Sequence, residues 1–112
     1  MTWDLKYLPE AESDMKKLDH SQQILVRKAL QKVKSNPLPQ SEGGYGKPLG
    51  HKRGANLTGF LKIKLVREGI RVVYRLIRTE TCMLVIVVGI REDDDAYEIA
   101  AKRIQSNVRQ DS

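Results

Sequence analysis

With 112 residues, 40% of them hydrophobic, the chain has the length and apolar share of one small core and not of two. No run approaches the roughly 18 apolar residues of a membrane span, and Met1 to Asp4 lack the basic-then-apolar opening of an export signal, so the expectation is a single cytoplasmic domain over residues 1–112. The formal charge is +6, from 20 Lys and Arg against 14 Asp and Glu, so polyanions should be attracted, while a lone Cys82 excludes an internal disulfide and a thiolate metal site.

In chain order, Trp3, Leu5 and Tyr7 alternate with Thr2, Asp4 and Lys6, the period of a half-buried strand over Thr2 to Leu8. Pro9 closes it, and Ala11, Met15 and Leu18 then recur at helical spacing. Asp19-His20-Ser21 breaks and restarts the helix, with Ser21 as the expected N-cap. The second helix carries Leu25, Val26, Ala29, Leu30 and Val33 on one stripe and stops at Asn36-Pro37.

Residues Asn36 to Asn56 hold three prolines and five glycines and read as an ordered loop whose basic end, Lys47 to Arg53, approaches a substrate. Three strands are predicted next, Leu57 to Val66, Ile70 to Arg78 and Cys82 to Ile90, joined by short turns as an antiparallel meander. An acidic run, Glu92 to Asp95, opens a last amphipathic helix bearing Ala96, Tyr97, Ala100, Ile104 and Val108, with acids placed where the helix dipole favours them. The expected fold class is α+β: a mainly antiparallel four-stranded sheet in the order β-α-α-β-β-β-α, with an N-terminal helical hairpin and a C-terminal helix.

Basic residues concentrate between positions 46 and 78, where Lys47, Lys52, Arg53, Lys62, Lys64, Arg67, Arg71, Arg75 and Arg78 face a single acid, Glu68. In the first meander strand Leu61, Ile63 and Leu65 alternate with Lys62 and Lys64, so the aliphatics point to the core and both ammonium groups emerge on the other face, roughly 7 Å apart. A two-residue turn at Glu68-Gly69 would set Val66 opposite Arg71, Lys64 opposite Val73 and Lys62 opposite Arg75. Lysines are common on solvated strand faces. Two arginines within an apolar strand favour instead an anion site, for which a polyphosphate backbone is the natural ligand.

Arg91 at the end of the most hydrophobic strand could bind a phosphate in bidentate fashion, and Tyr97 could offer a ring or hydroxyl; an ion pair with Glu92 or Asp93 and simple helix packing are the plainer roles. His20 and His51 lack orienting partners. The acids Glu92 to Asp95 are contiguous and cap a helix, so neither a metal nor another cofactor is expected.

The order of elements, together with Leu57-Thr58-Gly59-Phe60-Leu61-Lys62-Ile63-Lys64-Leu65, Gly69-Ile70-Arg71-Val72-Val73-Tyr74, Val87-Val88-Gly89-Ile90-Arg91 and Ala101-Lys102-Arg103-Ile104, resembles the RelE toxins of the RelE/ParE superfamily over nearly the whole chain. The resemblance implies a toxin of a type II toxin-antitoxin system, a ribosome-dependent endoribonuclease. Such a toxin cuts messenger RNA in the A site by attack of a 2′-hydroxyl on the adjacent phosphate, leaving a 2′,3′-cyclic end.

It also implies catalytic roles for Lys62, Lys64, Arg71, Arg91 and Tyr97, beside which the basic loop end and the strand face offer RNA contacts from Lys47, Lys52, Arg53 and Arg75. Lys64, among cations expected to lower its pKa, would be the base. Lys62 and Arg71 would stabilise the phosphorane, Arg91 would hold the phosphate and assist the leaving oxygen, and Tyr97 would stack on or orient the nucleotide. The implied partners are a cognate RelB-like antitoxin, the 70S ribosome and messenger RNA, with operator DNA reached only through the antitoxin. The alternatives are a ParE-like DNA gyrase inhibitor without nuclease activity and a basic nucleic-acid binding module without chemistry.

Overall fold

Five strands and three helices carry the architecture, in a computed structural model that describes residues 3–52, 55–90 and 93–111. The strands are β1 (Asp4–Tyr7), β2 (Lys47–Lys52), β3 (Ala55–Leu65), β4 (Ile70–Ile77) and β5 (Cys82–Ile90), and the α-helices are α1 (Pro9–Lys17), α2 (His20–Lys34) and α3 (Asp93–Asp111). They form one sheet in the order β1-β5-β4-β3-β2. The α+β class and the helical hairpin match expectation, but the sheet has five strands and is mixed, because β1 pairs parallel with β5.

The added strand, β2, lies inside the segment expected to be a loop. Pro48 and Gly50 suppress its strand signal, and both are tolerated because β2 is the sheet's edge, with a register irregularity between those two residues. At the start of α2 the cap is Asp19, not Ser21. Asp19 Oδ1 accepts from the Gln22 amide at 2.8 Å and Gln22 Oε1 accepts from the Asp19 amide at 3.0 Å, a reciprocal box that satisfies two helix-end donors.

The turn between β3 and β4 also differs from expectation. It spans Val66 to Gly69, four residues, so Leu65 pairs with Ile70, Lys64 with Arg71, Lys62 with Val73 and Phe60 with Arg75. Gly69 closes it at φ +69°, a conformation that costs residues bearing a Cβ. Each β4 partner slides by two positions relative to the expected pairing. An even shift leaves every side chain on its predicted face.

β4 and β5 are buried on both faces: Ile70, Val72, Val73, Tyr74, Val85, Ile86 and Val87 are fully inaccessible. The face carrying Val72 and Tyr74 lies under the helical hairpin and its continuation, where the Tyr74 hydroxyl donates to the Pro37 carbonyl at 2.8 Å. Gly46 lets the segment from 38 to 46 pass this hydroxyl, since a Cβ there would collide with it. The opposite face, bearing Lys62, meets α3. Among the described residues, no helix is long and apolar enough to cross a membrane.

Candidate nucleic-acid interface

Registers across β2, β3, β4 and β5 place Lys47, Lys62, Val73 and Val87 in one row, Lys64, Arg71 and Gly89 in the next, and Phe60 with Arg75 in the row on the other side. All point to the same face, because directly opposed residues share a face and alternate residues of a strand repeat it. Rows are separated by roughly 7 Å and neighbouring strands by about 4.8 Å, so five cations fall within the span of a few nucleotides. Lys64 and Arg71 are direct cross-strand partners. Directly opposed side chains lie close enough for one phosphate to contact both.

α3 covers part of this face. Lys62 Nζ donates to the Tyr97 hydroxyl at 2.6 Å and lies 5.4 Å from the centre of its ring, within reach of a cation–π interaction. Tyr97 is only 5% exposed, wedged between α3 and the sheet. Lys62 is half-buried, whereas Lys47, Lys64 and Arg75 are exposed and Arg71 is partly so.

The sheet therefore brings Lys62, Lys64 and Arg71 together with Tyr97, and sets Lys47 directly across from Lys62. Arg75 shares the face but stands opposite Phe60, not opposite Lys62 as the shorter turn would require. Lys52 closes β2 opposite Ala55, away from the Lys62 row. Arg53 and Arg91 lie outside the described residues.

One buried polar arrangement had no counterpart in the sequence reading. Asp14 on α1, 3% exposed, accepts from both terminal guanidinium nitrogens of Arg103 on α3, at 2.6 and 3.1 Å. Its signal was an acid on the helix stripe that also holds Ala11, Met15 and Leu18. No group of histidine, cysteine or acidic residues able to hold a metal occurs among the described residues.

No protein-family model matches the chain. A RelE-like toxin protein of Escherichia coli is 32% identical over 108 residues, covering 94% of this chain and 100% of that protein. The chain belongs to the RelE-like toxin family. The family's solved structures agree: the free state of an E. coli RelE toxin with two arginines replaced by alanine gives a TM-score of 0.71 at 29% identity, covering 93% of this chain and 99% of that one. An E. coli RelE mutant in complex with an antitoxin RelB peptide gives 0.65 at 27% identity, covering 89% and 95%. RelE toxins thus share with this chain the sheet on which the cationic rows are built.

Proposed function

We propose that this RelE-like toxin is an endoribonuclease that cuts messenger RNA in the ribosomal A site and so stops translation. The observation that carries the reading is the grouping of Lys62, Lys64 and Arg71 on one sheet face, with Tyr97 bonded to Lys62. In this reading Lys64 takes the proton of a 2′-hydroxyl as that oxygen attacks the neighbouring phosphorus. The bond to the 5′-oxygen breaks, that oxygen takes a proton from water, and the products are a 2′,3′-cyclic phosphate and a free 5′-hydroxyl.

Lys62 and Arg71 offset the charge that grows on the phosphorane, a task for which fixed cations are suited because they need not reorganise during reaction. Tyr97 orients Lys62 and, through it, the nucleotide. Arg91 is assigned to the scissile phosphate and the leaving oxygen by resemblance. Lys47 and Arg75 hold flanking phosphates, and Lys52 and Arg53 extend that contact. No step is routed through a metal ion.

Dependence on the ribosome follows if the messenger must be held in one geometry for in-line attack, since orientation alone supplies several kcal/mol of a barrier. The partner is a RelB-like antitoxin, by analogy with the RelE relative solved with such a peptide. Its cover over the cationic face would explain how a cell tolerates the toxin.

The test is cleavage of a defined message on programmed ribosomes, mapped by primer extension with chemical identification of the new 3′ end. Lys64→Ala and Arg71→Ala should each lower the single-turnover rate by about a hundredfold or more. Undiminished cutting by both variants, or a wild-type chain that halts translation without creating ends, would dismiss the nuclease reading.

A further inference from the structure

Tyr97 reaches Lys62 only if α3 is held against the sheet in one setting, and beside its apolar packing a set of polar groups outside the cationic rows helps to hold it. β1 ends at Tyr7, paired with Val85, and the β4–β5 ladder is irregular between Val73 and Tyr74, where Val73 pairs with Val87 but Tyr74 with Val85. Beyond the end of β1, the edge of β5 therefore presents backbone groups that lack a strand partner. Two side chains supply it. The Val88 amide donates to Asp14 Oδ2 at 3.0 Å, and Arg103 Nη1 donates to the Ile86 carbonyl at 2.9 Å.

The same two side chains are bonded to each other through both carboxylate oxygens, with the Arg103 side chain only 17% exposed and that of Asp14 2%. One cluster thus ties α1, the irregular edge of β5 and α3. Val88 is adjacent to Gly89, which shares a row with Lys64 and Arg71, so the tie lies beside the candidate site. Arg103 follows Tyr97 by six residues, about 9 Å along the helix axis, so two polar contacts act at separate points on a helix whose Ala96 and Ala100 are buried in the core.

A buried ion pair usually adds little stability compared with apolar side chains of equal size, but a bidentate one fixes orientation. We propose that Asp14 and Arg103 are positioning residues: their pairing across the β5 edge seats α3 so that the Tyr97 hydroxyl meets Lys62 in the orientation the reaction uses. The kinetic part of this proposal rests on the nuclease reading; the seating part does not.

Arg103→Lys keeps the charge but loses the planar fork, and Asp14→Asn keeps an acceptor for Val88 while removing the carboxylate charge. Arg103→Lys is the milder of the two, and the exchange rates of β3 and β4 report whether the sheet stays folded in each. In the free full-length toxin, hydrogen exchange should accelerate in α3 by about tenfold in each variant while β3 and β4 amides remain at wild-type rates, the mark of local opening. On programmed ribosomes kcat should fall by roughly ten- to a hundredfold with KM nearly constant, the size expected for a misplaced group. The Arg103→Lys loss should shrink by several-fold in a Tyr97→Ala background, because the contact that the pair sets is already gone.

Exchange that accelerates equally in α3, β3 and β4, an undisturbed α3, or a full kcat in Arg103→Lys would overturn the positioning role. Local opening of α3 in variants of a toxin whose wild type cuts nothing would leave the seating role standing and dismiss the nuclease reading alone.

Discussion

Tyr74 illustrates how one atom fixes a long connection. Its ring is fully buried, burial pushes its phenol above the ordinary tyrosine range, and its hydroxyl is donated to the Pro37 carbonyl. Tyr74→Phe leaves that buried carbonyl without its donor, so stability to urea should fall by about 1–3 kcal/mol. Unchanged stability would mean that the segment after α2 is held by other contacts. A second residue links charge to folding. The Asp19 carboxyl is held below the usual carboxylate range, chiefly by the Gln22 amide and then by the Ser21 hydroxyl. With the folded value below the unfolded one, its contribution is present above the unfolded value, about 3.9, and is lost as pH falls through the folded value. In an acid titration the amides at the start of α2 should lose protection in that window, and Asp19→Asn, which can cap but does not titrate, should lack the step.

Among the elements, those with local signals were legible. Alternation in Leu61 to Leu65 identified both the strand and its lysine face, and the apolar run fixed β5 at Cys82–Ile90. β2 was hidden because Pro48 and Gly50 are poor strand formers, and only pairing with β3 makes that segment extended. The parallel pairing of β1 with β5 joins residues nearly 80 positions apart and leaves no periodic trace. The β3–β4 register depended on turn length, which Arg67-Glu68-Gly69 does not settle; the side-chain faces survived because the error was even. Of the site, the cations were named, but the Lys62–Tyr97 bond and the Asp14–Arg103 tie arise from helix docking, which no spacing reports. The turn itself gives a test. Open space surrounds Gly69, the nearest side-chain atom to an added Cβ being Ile90 Cγ2 at 4.0 Å, so the penalty of Gly69→Ala is purely that of positive φ. A loss of about 1–2 kcal/mol in urea denaturation is expected. Gly69→Asn should cost less; equal losses for the two would argue against a left-handed turn residue.

At the scale of the whole molecule, a net charge of +6 favours polyanions at long range, and in the proposed function the fold decides where RNA would be held. Three rows on one face carry Lys47 with Lys62, Lys64 with Arg71, and Arg75, and α3 meets this face through the Lys62–Tyr97 contact. A single strand lying along these rows releases one set of counterions per neutralised phosphate, so log K should fall with log salt at a slope of about −0.7 for each contact. Arg75 is exposed and stands one row from Lys62 on the side away from Arg71, which suits it to a flanking phosphate and not to the scissile one. Arg75→Ala should therefore weaken binding of a non-cleavable RNA by similar factors for every sequence and flatten the salt slope by about 0.7. Its kcat on programmed ribosomes should hold while KM rises, since the lost contact is equal in ground and transition states. Were kcat to collapse with the slope intact, Arg75 would belong at the reacting phosphate, and the rows would have to be assigned to the RNA in a different order.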